Sequence, residues 1–379
     1  MFQFHRVFWG SFVLLLLFVV SHERGEAKSP KTPKRKMTKR SSATPQTIRE
    51  ARRFHHQMTV VDWHVDSVFQ LTRRWYDFRK TQRRHDLDFS KMRRGGIGAQ
   101  VFSLWVPPRV LKWKGGGWWY LKRMYRNYRR LLKLSNGLLV HARNARDIRR
   151  IRKQGKIAAL LGIEGAHPFE GKLHRVNTIA KWGVAYVGLT WNNSNAFASS
   201  AKDEWYSKTL KRKGLTHKGR KLVRLLEKHK ILVDLSHSGR RTFWDVAKMS
   251  KRPFIASHSN AYRLRPHYRN LSDKQMRAIA KSGGIIGVNF YALFLRKYKY
   301  RFRTRIKHLI RHVKYIMKVA GPQTVALGSD FDGIVYKPRK LRHIGHLPRL
   351  TVAMSKAGLT QDQIKKVLGE NSLRVLNSP

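Results

Sequence analysis

No cysteine occurs among the 379 residues, which excludes disulfides, Cys-ligated zinc, iron–sulfur clusters, a thiol nucleophile and a lipidated cysteine anchor. Acids are scarce too: 21 Asp and Glu face 81 Lys and Arg, a formal net charge of +60. A disordered polycation is nonetheless excluded, because 41% of the residues are hydrophobic and 11% aromatic, enough for a folded core. Specific nucleic-acid binding is not expected. The chain has no zinc-finger spacing, RNP-like motif or basic leucine zipper, and its Lys/Arg clusters at 121–133, 143–156, 211–230 and 296–314 are dispersed rather than striped. The summed field must still attract polyanions, so electrostatic association with anionic envelope polymers or lipids is expected. His-Glu-x-x-His and Gly-x-Ser-x-Gly are also absent, and Gly165…Gly171-Lys172 is one residue too long for a P-loop.

The N-terminal apolar stretch, Val7 to Val20, is shorter than the roughly 20 residues of a membrane span and is followed by Gly25-Glu26-Ala27. Residues 1–27 therefore read as an export signal cleaved after Ala27, with an uncleaved signal anchor as the alternative. Residues 28–47, rich in Lys, Arg, Pro and Ser, read as a flexible basic linker. The remainder, 48–379, is expected to form one domain outside the cytoplasm: periplasmic, secreted or envelope-associated.

In that remainder, short Val/Ile/Leu-rich runs alternate with longer amphipathic segments. Eight strands are expected: Thr59–His64, Gly98–Leu104, Ile157–Ile163, Val184–Thr190, Ile231–Ser236, Phe254–Ser257, Gly284–Phe290 and Thr324–Ser329. Ser272-Asp-Lys-Gln275 is a capping box for a helix closing at Gly283-Gly284, and Thr360-Gln-Asp-Gln363 opens a last helix. Eight βα units predict a (β/α)8 TIM-like barrel with its chemistry at the C-terminal strand ends; a doubly wound sheet is the competitor.

The scarce acids fall beside histidines at those ends. Period-two alternation in the first strand places Val61, Trp63 and Val65 on one face and Asp62, His64 and Asp66 on the other, so His64 and Asp66 can share a metal. Later ends carry Glu164 with His167, Asp234 with His237, His258, and Asp330 with Asp332. These nitrogen and oxygen donors, converging on one mouth, are a ligand set for one or two borderline divalent ions, zinc first. Asp332 with Gly333 also fits a simple turn, and Asp234 a group that orients a His.

These residues resemble the membrane (renal) dipeptidase family of zinc peptidases over about Val60 to Leu376. The resemblance is carried by His64-x-Asp66, Glu164-Gly-Ala-His167, Val233-Asp-Leu-Ser-His237, Ser257-His258-Ser259, Pro266-His-Tyr-Arg269-Asn270, Val288-Asn289-Phe290, Ser329-Asp330-Phe-Asp332-Gly333 and Leu368-Gly-Glu-Asn371-x-x-Arg374. It implies two Zn2+ per chain, one on His64 and Asp66, one on His237 and His258, with Glu164 bridging both and a water between them as nucleophile. It further implies that Arg269 binds the terminal carboxylate of a dipeptide substrate and that catalytic Asp330 passes a proton to the leaving amine or holds the substrate ammonium. C-terminal D-residues and a homodimer belong to the same expectation. Mammalian members carry a His in a Leu-Thr-His segment where this chain reads Leu189-Thr190-Trp191-Asn192-Asn193. Trp191 and Asn192 are therefore the candidate substrate contacts there, Trp191 having barrel-mouth packing as its other reading. The other functions in view are a different metal-dependent amidohydrolase or lactonase and a catalytically silent polyanion-binding envelope protein.

Overall fold

A computed structural model of the chain describes residues 47–72, 76–210 and 213–377. The export segment and basic linker read from residues 1–47 lie outside these, Thr47 excepted. Among the described residues the apolar runs form nine parallel strands: β1 (Val60–Val65), β2 (Ile97–Trp105), β3 (Leu139–His141), β4 (Ile157–Glu164), β5 (Val184–Gly188), β6 (Leu232–Asp234), β7 (Phe254–Ile255), β8 (Ile286–Val288) and β9 (Val325–Leu327). Eight follow the order β7-β6-β5-β4-β2-β1-β9-β8. The two ends of this path meet just beyond β7: Ala256 N donates to Ile285 O at 3.0 Å and Gly287 N to Ala256 O at 2.8 Å. The result is a nearly closed (β/α)8 barrel. Continuous apolar runs suit it, since strands buried on both faces need no polar alternation.

The eight expected strands correspond one to one with these eight. The ninth, β3, was not expected: its three residues pair with the first half of β4 (Leu139↔Ile157, His141↔Ala159), while β5 takes the second half (Leu161↔Val184). Both capping boxes form, Ser272 with Gln275 and Thr360 with Gln363. The helix begun at Gln361 runs through a π turn at Lys366–Glu370 into Asn371–Val375. There Trp63 Nε1 donates to Ser372 Oγ at 2.8 Å, and Val375 packs with Leu232, Ile255, Ile285 and Ala326. Because Leu232 and Ile285 lie where their strands begin, this helix covers the barrel end opposite the strand C-termini. Gly369 permits the approach, since a Cβ would collide with the Thr59 carbonyl. Among the described residues no helix is long and apolar enough to cross a membrane.

Candidate metal centre

The first strand departs from strict alternation. β1 pairs with β2 at Asp62↔Gln100 and at Val65↔Phe102, so two residues of β1 oppose one of β2. This bulge turns consecutive residues the same way: the Trp63 ring lies 6.4 Å from that of Tyr186, and His64 Nδ1 lies 2.7 Å from Tyr186 Oη. Asp62, expected on the His64 face, is instead held by Ser329, whose N and Oγ donate to its carboxylate at 2.8 and 2.5 Å. His64 and Asp66 do come together, with Nε2 to Oδ2 at 3.9 Å.

Glu164, the last residue of β4, divides its carboxylate between two groups. Oε2 lies 3.6 Å from His64 Nε2, while Oε1 lies 2.9 Å from His237 Nε2 and 3.6 Å from His258 Nε2. Each imidazole turns Nε2 inward and leaves Nδ1 to an oxygen: Tyr186 Oη for His64, Asn192 Oδ1 for His237 at 2.9 Å and Ser257 Oγ for His258 at 2.8 Å. Ser257 Oγ in turn donates to Asp234 Oδ2 at 2.7 Å, which makes Asp234 the anchor of the His258 ring rather than a ligand. Asp330 closes the ring, Oδ1 at 4.0 Å from His64 Nε2 and Oδ2 accepting from Asn289 Nδ2 at 2.8 Å. His237 and Asp330 both have positive φ, 67° and 63°. That left-handed backbone is disfavoured for a side-chain-bearing residue and concentrates at functional sites.

Two overlapping groups have donor atoms within 4.8 Å of one another, His64–Glu164–His258 and His64–Asp66–Asp330. His64 Nε2 and Asp66 Oδ1 are buried with no hydrogen-bond partner among the described residues. Burial alone would discharge His64, yet Glu164, Asp66 and Asp330 push its pKa up to about 10. Glu164 shows the converse: burial opposes its ionisation, and the charged His64 overcomes that and holds it below the usual carboxylate range. Asp330 is raised to about 6, by burial first and then by Glu164. A cluster that keeps a proton on a fully buried histidine is one that calls for a cation, and nitrogen plus carboxylate donors suit a borderline divalent ion.

The remaining sequence candidates sort clearly. Trp191 packs on Trp105 with ring centroids 5.2 Å apart and on His237 at 6.2 Å. Asn193 donates only to the neighbouring Ser194 carbonyl. His167 bonds the Val106 carbonyl through Nε2 and stays outside the centre. Asp332 accepts from Ser67 Oγ and from Asp86 N, tying the connection between β1 and β2 to the rim beside Gly333. Arg269 is buried; among the described residues its guanidinium donates only to the His258 carbonyl, at 3.4 Å, and its Nε is an orphan. With His237 it lines a cavity of about 480 Å³ that opens beside the centre. Tyr186, Ser257 and Asn289 were missed as site-building residues in their own right. A lone Tyr inside an apolar strand and a Ser before a candidate ligand were the available signals.

The model of the membrane dipeptidase family (peptidase family M19) matches residues 48–378. An uncharacterised protein of the pqqA 5′ region of Klebsiella pneumoniae is 38% identical over 66% of this chain and 92% of its own length. An uncharacterised dipeptidase of Schizosaccharomyces pombe is 33% identical over 79% of this chain and 73% of its own. A metallopeptidase from Rhodobacter sphaeroides, solved with a phosphinate mimic of the dipeptide L-Ala-D-Ala, superposes with a TM-score of 0.77 at 26% identity, covering 84% of this chain and 98% of that one.

Proposed function

Since this chain belongs to the membrane dipeptidase family, and is thus a metal-dependent dipeptidase, we propose that it works with two zinc ions on dipeptides that carry a free carboxylate, C-terminal D-residues included. His64 and Asp66 would hold one ion, His237 and His258 the other, and Glu164 would span both. The division of the Glu164 carboxylate, one oxygen toward His64 and the other toward His237 and His258, carries this reading. Zinc bound there supplies an activated water and a polarised scissile carbonyl, so no Ser or Cys nucleophile is needed.

The protein's own groups do the rest. Arg269, buried without a carboxylate partner, holds the substrate's terminal carboxylate through a charge-assisted, two-pronged contact. Asp330, oriented by Asn289, delivers a proton from its carboxyl to the leaving amine. Asn192 fixes the His237 ring through Oδ1, which leaves its Nδ2 for substrate, and Trp191 forms the adjoining wall. Tolerance of a C-terminal D-residue draws support from the L-Ala-D-Ala mimic bound by the Rhodobacter metallopeptidase. Export rests on the Val7–Val20 stretch and Gly25-Glu26-Ala27. Retention at anionic envelope polymers rests on the +60 charge.

The test is hydrolysis of an L,L and L,D dipeptide panel by the purified chain before and after metal removal and zinc return, with bound metal counted. Cleavage restored by two zinc equivalents is expected; cleavage persisting in metal-free protein overturns the reading.

A further inference from the structure

The cavity beside Arg269 has more positive charge than a terminal carboxylate can use. Around its approximately 480 Å³ stand Arg269, Lys213 and Arg240. Among the described residues none of the three has a carboxylate within ion-pair distance; the neighbouring acid Asp245 is engaged by Arg220 and Arg241 instead. The single acid in the lining, Glu204, is committed, with Oε1 accepting from Ser199 Oγ at 2.5 Å and Oε2 from Arg241 N at 3.1 Å. His267, also in the lining, is lowered to about 4 by burial, Arg269 and Arg265, and adds no charge near neutrality. Ser238 also lines the cavity, and its Oγ is buried with no hydrogen-bond partner among the described residues. Three cations against one carboxylate leave two positive charges, the number that a C-terminal aspartate or glutamate brings as its α- and side-chain carboxylates.

Resting on the dipeptidase reading, we propose that Lys213, Arg240 and Ser238 form the pocket for the substrate's C-terminal side chain and select an acidic one. Arg269 takes the α-carboxylate. The side-chain carboxylate extends into the cavity toward the Lys213 ammonium and Arg240 guanidinium and accepts from the Ser238 hydroxyl. The overall field of a +60 chain would also favour acidic substrates, but it acts on net charge and does not distinguish which residue carries it. A pocket does.

The experiment compares kcat/KM of the metal-loaded full chain for Ala-Glu against Ala-Gln and for Glu-Ala against Gln-Ala, with the C-terminal residue in both L and D forms. The pocket predicts a preference of about tenfold in the first pair, the scale of two partly exposed ion pairs, and little in the second. The preference should reside in KM, and the double variant Lys213→Ala, Arg240→Ala should bring the first ratio down to the second. Equal preference in both pairs, or an unchanged ratio in the double variant, overturns the pocket in favour of the general field. Cleavage of Ala-Gln with no preference for Ala-Glu sinks the pocket and leaves the dipeptidase reading intact. If none of the dipeptides is cleaved by the zinc-loaded protein, the dipeptidase reading falls and takes the pocket with it.

Discussion

The Nε2 atoms of His237 and His258 face each other at 3.1 Å. Asn192 Oδ1 can only accept, so His237 carries its proton on Nδ1; Ser257 Oγ, which donates to Asp234, leaves His258 the same tautomer. Two bare lone pairs therefore point at one another across the mouth. Protonation would relieve the repulsion, but burial, with Arg269 nearby, lowers His237 to about 3, and burial, with His64 and Arg269, holds His258 well below 6.5. A cation set against both nitrogens turns the repulsion into ligation.

Metal content should follow from this geometry. His237→Ala is expected to hold about one metal equivalent fewer than the parent and to lose on the order of a thousandfold in kcat. Asn192→Ala and Ser257→Ala, which touch no ion, should weaken metal binding by about 10- to 100-fold through a loosened ring. Metal analysis beside dipeptide turnover reads both effects. A full metal complement at unchanged affinity in all three variants would remove His237 and His258 from the centre.

Gly333 gives an independent handle on the same carboxylates. A Cβ there would collide with Asp66 Oδ2 and come within 2.6 Å of Asp330 Oδ1. The backbone at Gly333 is not left-handed, so Gly333→Ala forces the two acids to move without demanding a new turn. Loss of metal and activity with at most a modest drop in thermal stability is expected. Normal turnover in this variant would mean that Asp66 and Asp330 need not hold their positions.

How the sequence announced this site depends on the kind of signal involved. The barrel was legible because eight apolar runs, each buried on both faces, need nothing beyond their own composition to be recognised. Glu164, His237, His258 and Asp330 were legible because ionisable residues at strand ends are unusual in so acid-poor a chain. The facing of β1 was not. Alternation assumes one residue opposite one, and the extra residue between Asp62 and Val65 depends on pairing with β2, which the local sequence does not encode. Likewise β3 owes its existence to a free stretch of β4, and three residues carry too little periodicity to stand out. The sequence marks Asn192 as a candidate substrate contact; that its Oδ1 is engaged by His237 follows from a contact 45 positions away.

Arg269 should decide which end of the substrate must be free. Arg269→Lys keeps the charge but removes the planar fork, so KM for free-carboxylate dipeptides should rise by about 10- to 100-fold with kcat changed far less. Dipeptides amidated at the C-terminus should be poor substrates for the parent and little affected by the substitution. An equal loss on amidated and free substrates would assign Arg269 a structural part instead.

His55 lies away from the metal centre and should set part of the acid limit of the fold. Its ring joins the N-terminal helix Ile48–Gln57 to the rest of the domain, Nδ1 at 2.7 Å from Thr351 Oγ1 and Nε2 at 2.8 Å from the Gly95 carbonyl. Burial lowers its pKa from 6.5 to about 4, with His56 and Arg152 adding to the fall and the Gly95 carbonyl opposing it. Between those values the unfolded chain binds a proton that the native state refuses, so acidification favours unfolding. The contribution is complete above pH 6.5, is lost as pH falls to about 4, and stays flat below that. A shift of that span is worth on the order of 3 kcal/mol. Denaturant melts of the parent and of His55→Gln from pH 7 to 4 should converge by roughly that amount, because the groups of the candidate metal centre titrate in both proteins and cancel in the difference. Parallel curves across the window would show that His55 is charged or exposed in the native protein, and that the helix is held by Phe54 and its apolar neighbours alone.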